Sequence, residues 1–160
     1  MTITQGDKIP SMEFNVMTPD GQQKLATDVV FAGRKVVLFA VPGAFTPTCS
    51  ISHLPSYIEH FDAIKVKGVD TIACTSVNDV HVMTAWAKHS GADGKIMMLA
   101  DGNGTFAKAC GLEKNLELTG MGLRSKRYSM IVDNGVITAL NVEEKSGVNV
   151  SGAETILEQL

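Results

Sequence analysis

Three short apolar runs in the first two thirds of the chain are bounded by turn-forming or polar residues. They lie at residues 35–41, 69–76 and 96–100. Continuous apolar runs of this length are typical of strands that are buried on both faces of a sheet. The run at 35–41 ends in a Pro-Gly turn and is predicted to be the central strand.

Between these strands, apolar residues recur at helical spacing. One predicted helix contains Cys49 and extends past Pro55, which should kink it, and a second begins at Asp79. A short helix ends at Gly111, and a final helix is predicted to begin at Ser151 through a capping box.

Turn chemistry predicts two hairpins. The first joins strands at 12–17 and 23–26, and the second joins 127–132 to 136–141 across a type I′ turn at 133–135. A short helix capped by Thr27-Asp28 follows the first hairpin, and residues 112–126 are predicted to be a long loop. The pattern predicts one α/β domain over residues 1–160, with a central mixed sheet flanked by helices and an N-terminal hairpin.

Composition narrows the function classes. The 160 residues carry a formal net charge of -3 and no basic run, which argues against a nucleic-acid surface. We see neither a secretory signal nor an apolar run long enough to span a membrane, so we expect no membrane partner. Three cysteines at wide spacing do not resemble a disulfide scaffold, so we expect a reducing compartment, most simply the cytoplasm.

Candidate chemistry follows the central strand, in the pattern Pro42-x-x-x-Thr46-x-x-Cys49. Thr46 is a predicted N-cap, and Pro47 occupies the favoured first helical position. Cys49 then falls in the first turn, where unpaired N–H groups and the helix dipole stabilise a thiolate. The hydroxyl of Thr46 and the sulfur can converge on one small ligand, with Pro42 as a wall. A buried structural cysteine behind a helix cap is the alternative interpretation.

The segment Pro-Gly-Ala-Phe-Thr-Pro-Thr-Cys-Ser at residues 42–50 resembles the active-site signature of peroxiredoxins, specifically the type II (peroxiredoxin-5-like) group. Supporting similarity lies at residues 52–55, 76–79, 85–86, 101–104 and 127–130. The resemblance implies a thioredoxin-like fold and a homodimer. It also implies a thiol peroxidase acting on hydrogen peroxide and small organic hydroperoxides, without metal or prosthetic group, in which Cys49 is peroxidatic, Thr46 orients the peroxide and Arg127 completes the pocket.

The choice of arginine rests on that resemblance. Arg34, Arg124 and Arg127 are the arginines of the chain, and Arg124 is otherwise interpreted as a solvated loop charge. His53, four residues after Cys49, invites a Cys–His hydrolase interpretation, but no orienting Asn or Asp can be placed. A structural or interface histidine is the preferred interpretation. The remaining histidines lack metal-ligand spacing.

The second half-reaction must return the oxidised Cys49 to a thiol. Cys74 is the candidate resolving residue, Cys110 has no assigned role, and an inert buried thiol is an equal interpretation of Cys74. A Cys49–Cys74 disulfide would require unwinding of the first helical turn, whereas we expect a pocket open to peroxide to admit an external thiol. We therefore predict re-reduction by glutathione, glutaredoxin or thioredoxin. A sensor that oxidises once and stalls is the competing class.

Overall fold

The computed structural model describes residues 1–160, and nine strands account for its sheets. The strands are β1 Glu13–Thr18, β2 Gly21–Ala26, β3 Lys35–Ala40, β4 Thr71–Ser76, β5 Met97–Ala100, β6 Glu113–Leu116, β7 Gly122–Ser125, β8 Tyr128–Asp133 and β9 Val136–Val142. Seven of them form one sheet in the order β2-β1-β5-β4-β3-β8-β9, and β6 pairs with β7 in a separate ribbon.

Short helices connect these strands. They are α1 Thr27–Phe31, α2 Leu54–Glu59, α3 Phe61–Lys65, α4 Val80–Ser90, α5 Thr105–Cys110 and α6 Ala153–Gln159, with a π-helical turn at Cys49–His53 and a 3-10 turn at Glu117–Thr119. None of the helices has both the length and the hydropathy needed to cross a lipid bilayer.

The central strand is β3, as the apolar pattern predicts. It pairs in parallel with β4 and antiparallel with β8, and β4 pairs in parallel with β5. The sheet is therefore mixed and flanked by helices, which confirms the predicted fold class. Because side chains alternate along β3, Val37 and Phe39 point to one face, and Val36 and Leu38 point to the other.

Each face of the sheet has its own hydrophobic core. The first core joins the sheet to α2, α3, α4 and α6 and contains Cys49, Cys74, Tyr57 and Trp86. The second core joins the sheet to α1 and α5 and contains Cys110. The sheet thus separates Cys110 from the other two cysteines.

Two local predictions, a helix start and a hairpin turn, are confirmed. The carboxylate of Asp79 accepts the N–H of Val82 at 2.9 Å and caps α4. In the β8–β9 turn, Asn134 and Gly135 both have positive φ, at 49° and 79°, which is the type I′ conformation.

Three local predictions are wrong. Residues 112–126 are not a loop but contain the β6–β7 ribbon. The hydroxyl of Ser151 does not cap α6, because it donates to the carboxylate of Glu143, and the N-cap position belongs to Gly152. The hydroxyl of Thr27 does not cap α1 either, because it accepts the N–H of Met12.

Candidate active site

The loop between β3 and the π-helical turn is held from a neighbouring strand end. The N–H of Ala44 donates to Oδ1 of Asn78 at 2.9 Å, just beyond β4, and the hydroxyl of Ser76 donates to the same oxygen. Phe45 has a φ of 65°, in the left-handed region that bulky residues rarely adopt. The chain therefore turns sharply here, and the side chain of Thr46 lies against the first turn of the following helix.

The helix after this loop is widened where it carries the cysteine. Pro47 and Thr48 are helical, as predicted, and the π-helical turn follows at Cys49–His53, where the N–H of Leu54 donates to the carbonyl of Cys49. The wider turn ends directly before Leu54 and Pro55, and the kink at Pro55 stays a prediction. Pro55 has no N–H for the carbonyl four residues earlier, which weakens regular helical bonding there.

Two side chains converge on the sulfur of Cys49. Oγ1 of Thr46 lies 2.9 Å and Nη2 of Arg127 lies 3.1 Å from Sγ. Thr46 does not act as the predicted N-cap, because no backbone N–H donates to its Oγ1. Its hydroxyl hydrogen has the carbonyl of Gly43, at 2.7 Å, and Sγ as acceptors. The donors to the sulfur are thus side chains and not the backbone N–H groups expected at a helix N-terminus. A guanidinium at this distance stabilises an anionic sulfur.

His53 holds the guanidinium in place. Its Nδ1 lies 2.9 Å from Nη1 of Arg127, and its Nε2 lies 2.9 Å from the carbonyl of Ser151. Arginine is always a donor and a carbonyl always an acceptor, so Nδ1 must accept and Nε2 must carry the hydrogen. Burial, opposed by the Ser151 carbonyl and assisted by the nearby Arg127 charge, lowers the pKa of His53 to about 3. The imidazole is therefore neutral at physiological pH.

Glu143 fixes the segment that carries the Ser151 carbonyl, which is the hydrogen-bond acceptor for His53. Oε2 of Glu143 accepts the N–H groups of Asn149, Val150 and Ser151, each at 2.8 Å, and the Ser151 hydroxyl at 2.6 Å. Burial alone would raise the pKa of Glu143, but these bonds, that of the hydroxyl first, lower it. The ionised carboxylate thus immobilises the Ser151 carbonyl, which also accepts the hydroxyl of Tyr57 at 2.7 Å.

Of the other residues weighed from the sequence, Pro42 lies beside the site and Arg124 has a separate structural role. Pro42 lines a groove together with Thr48 and Arg127. Arg124 is not a solvated charge, because it donates to the carbonyls of Met121 and Val77 and so holds the β6–β7 ribbon against the sheet end. No group of three or more His, Cys, Asp or Glu side chains is arranged to hold a metal ion.

All three cysteines are free and completely buried. Cys74 faces the helix layer that contains Cys49, and burial, with a smaller contribution from Cys49, raises its pKa well above the ordinary value. The burial of Cys49 corrects one expectation: Sγ has no exposed surface, so neither a peroxide nor an external thiol reaches it without movement of the residues that cover it.

Sequence reasoning missed the residues that support the site. It gives His53 a structural or interface role and assigns no role to Glu143 or Asn78. Their partners lie 74 to 98 residues away for His53 and 34 residues away for Asn78. The one usable signal was a histidine one helical turn after the cysteine, which the sequence could not connect to an arginine.

Comparisons with known proteins agree with this geometry. A model of the Redoxin family matches residues 4–157. The chain is 47% identical to Peroxiredoxin-2E-2, chloroplastic, of Oryza sativa subsp. japonica, over 99% of this chain and 73% of the relative. It resembles the crystal structure of reduced Prx3 from Vibrio vulnificus in complex with H2O2, with a TM-score of 0.95, 52% identity and 99% of each chain covered.

A more distant structure resembles the chain over the same extent. Peroxiredoxin 5 from Alvinella pompejana has a TM-score of 0.85 and 36% identity, with 98% of this chain and 96% of that chain covered. These likenesses confirm the predicted thioredoxin-like fold.

Proposed function

Because the chain belongs to the Redoxin family and is a type II peroxiredoxin, a thiol-dependent peroxidase, we propose that Cys49 is its peroxidatic residue, acting on hydrogen peroxide and small organic hydroperoxides. The observation that carries this proposal is the convergence of Thr46 Oγ1 and Arg127 Nη2 on Sγ, at 2.9 and 3.1 Å. Neither of the other cysteines has a cation or a hydroxyl donor on its sulfur.

In the first half-reaction, the thiolate of Cys49 attacks the terminal oxygen of the peroxide. The S–O bond forms as the O–O bond breaks, so the cysteine becomes a sulfenic acid and hydroxide or alkoxide leaves and takes a proton from water. Charge moves from sulfur to the leaving oxygen during this step. Arg127 and the Thr46 hydroxyl are fixed donors that can follow that charge. Pro42 forms a wall of the pocket without a donor of its own.

His53 acts as a positioning residue. It occupies Nη1 of Arg127 and leaves Nη2 directed at the sulfur. Because the imidazole is neutral, it accepts this hydrogen bond without adding a competing positive charge. Glu143 and Ser151 in turn fix the orientation of the ring through the Ser151 carbonyl.

In the second half-reaction, an external thiol attacks the sulfenic sulfur. Water leaves, a mixed disulfide forms, and a second thiol then releases Cys49 and takes the disulfide. Two thiols thus supply the two electrons that the peroxide received. We propose glutathione with glutaredoxin, or thioredoxin, as the source of these electrons. Cys74 is the alternative resolving thiol.

We also propose a homodimer in the cytoplasm. Phe45 and Ile51, exposed to 49% and 75%, place large apolar side chains beside the site, where a second copy could cover them. Light scattering at tens of micromolar tests the dimer (about the range of a weak interface), and a monomer there would contradict it. The odd cysteine count supports a reducing compartment, which cell fractionation tests.

The decisive experiment follows the product of one turnover. Reduced protein is mixed with one equivalent of peroxide, quenched rapidly, and analysed by mass spectrometry with and without glutathione. We expect sulfenic acid at Cys49 without glutathione, and a glutathione adduct there followed by continued turnover with it. Oxidation that stops after one event with every thiol donor would instead identify a sensor.

A further inference from the structure

A groove opens beside the active site and is far larger than a peroxide requires. Pro42, Thr48 and Arg127 line its inner end, and residues 142–147 line the rest together with Lys114 and Lys126. Its volume is about 700 Å³, which falls within the range of pockets that hold small-molecule ligands, roughly 300–1,000 Å³. Hydrogen peroxide has two heavy atoms and would occupy only a small part of this space.

The lining of the groove is charged and almost devoid of apolar side chains. It carries four cations, Lys114, Lys126, Arg127 and Lys145, against the carboxylates of Glu143 and Glu144, and Val142 is its one large aliphatic side chain. An apolar hydroperoxide tail would gain little there. The chain as a whole has a net charge of -3, so this local excess of positive charge is a distinct feature.

The three lysines among these cations are available to a ligand. Oε2 of Glu143 is already engaged by four donors of residues 149–151, which leaves Glu144 as the exposed carboxylate. Among the lysine ammonium groups of the chain, that of Lys65 donates an internal hydrogen bond, and those of Lys114, Lys126 and Lys145 donate none. Lys114 and Lys145 are exposed, and Lys126 is half-buried nearer the site.

We propose that this groove binds a small peptide thiol of the glutathione type and delivers its sulfur to oxidised Cys49. The inference rests on the proposed function, because the reaction there consumes thiols. Glutathione carries two carboxylates and one ammonium at neutral pH. The lysines suit the carboxylates and Glu144 suits the ammonium, whereas a polyphosphate would meet an opposing carboxylate.

Binding of the thiol in the groove would also help it to react with a sulfur that is buried. Cys49 has no exposed surface, so attack requires an opening in the residues that cover it. A thiol already held between Thr48 and Lys126 is present at high local concentration when that opening occurs. Its attack then breaks the S–O bond, forms the S–S bond and releases water.

The test combines lysine variants with thiols of different charge. Protein is first oxidised with one equivalent of peroxide, and loss of the Cys49 sulfenic acid is followed by quenched mass spectrometry with glutathione, neutral 2-mercaptoethanol and reduced thioredoxin. The double variant Lys114→Gln/Lys145→Gln should react with glutathione roughly fivefold to tenfold more slowly, as expected for two exposed charge pairs. Its rate with 2-mercaptoethanol and its oxidation by peroxide should stay unchanged. The matched control Lys24→Gln/Lys67→Gln removes the same charge from exposed sites elsewhere.

Equal slowing with glutathione and 2-mercaptoethanol, or no slowing with either, would overturn the proposal. So would slowing that is confined to a protein donor, which would identify a docking site for that protein instead. Failure of peroxide to oxidise Cys49 would reject the proposed function, not the groove. The groove is tested independently by NMR titration of the Cys49→Ser variant with S-methylglutathione, whose shifts should map to residues 114, 126 and 142–147 and weaken in the double variant.

Discussion

Cys49 and Cys110 lie on opposite faces of the sheet in settings that look alike at first. Both are completely buried, and both belong to short helical segments that follow a strand. The difference is in their polar neighbours. Cys49 has the hydroxyl of Thr46 and the guanidinium of Arg127 on its sulfur, whereas Cys110 packs in the apolar core with Phe106 and Leu112.

The charged groups near the two thiols have opposite signs. Burial, and then the carboxylate of Asp101, raises the pKa of Cys110 to about 12, so this thiol stays protonated. At Cys49 the nearest charge is a cation that a neutral histidine holds in place. Exposure therefore does not distinguish the proposed peroxidatic cysteine from Cys110, and the donors on the sulfur do.

The largest expected effect comes from exchanging the reactive sulfur for oxygen. Cys49→Ser should abolish peroxide consumption, because a hydroxyl is a far weaker nucleophile than a thiolate at neutral pH. Cys110→Ser should retain the wild-type rate. A coupled peroxide assay compares both, and substantial turnover by Cys49→Ser would remove the central proposal.

Removing the hydroxyl donor should come next. Thr46→Val keeps the side-chain shape but should slow peroxide reduction on the order of a hundredfold or more, as for loss of one transition-state donor. Thr46→Ser, which restores a hydroxyl, should be much milder. Single-turnover oxidation rates measure this, and equal damage from both variants would point to packing instead.

A change of cation should have a smaller but clear effect. Arg127→Lys keeps the charge but loses the planar fork that contacts Sγ and His53 together, so we expect a loss of roughly tenfold to a hundredfold in oxidation rate. Arg34→Lys, at an exposed site, is the matched control. The assignment of Arg127 would be wrong if Arg124→Lys lost activity while Arg127→Lys remained active.

The neutral histidine behind the cation should also make the stability of the folded chain depend on pH. The pKa of His53 is about 3 in the folded chain, against 6.5 for the ordinary group, so below pH 6.5 the unfolded chain binds a proton that the folded one excludes. Its contribution to stability is therefore complete above pH 6.5 and declines as the pH falls. Urea denaturation at pH 7, 6 and 5 should show a slope that approaches about 1.4 kcal/mol per pH unit from this group.

A matched pair of variants isolates that slope. His53→Gln should make the pH dependence between 7 and 5 shallower, whereas exposed His81→Gln should leave it as in the wild type. An identical slope in all three proteins would show that His53 can be protonated in the folded state.

Substitution of Cys74 should have only a small effect. Cys74→Ser should retain most activity with an external thiol donor, because its protonated and buried thiol is not needed for resolution. Peptide mapping after stoichiometric oxidation provides the check. A Cys49–Cys74 disulfide in the wild type, together with an inactive Cys74→Ser variant, would reject the external-thiol mechanism.

Local signals in the sequence predicted what depends on neighbours along the chain. The cap at Asp79, the turn at Asn134-Gly135 and the Thr46–Cys49 pair all act over one to three residues. The arginine was selected by resemblance alone, because 78 residues separate Arg127 from the sulfur it contacts.

The errors have the same origin. A capping box at Ser151 was a sound local prediction, but Glu143 takes the hydroxyl for a tertiary contact. The polar β6–β7 ribbon was missed because its strands pair only with each other and lack a continuous apolar run.

One contact in the first core has a practical consequence for spectroscopy. Trp86, the single tryptophan of the chain, is fully buried on α4, and its indole N–H donates to the hydroxyl of Ser50 at 3.0 Å. Ser50 lies in the π-helical turn directly after Cys49. All tryptophan emission therefore comes from one indole that is hydrogen-bonded to the residue directly after Cys49. Intrinsic fluorescence should follow movement of this turn in real time, without a label and without a coupled enzyme.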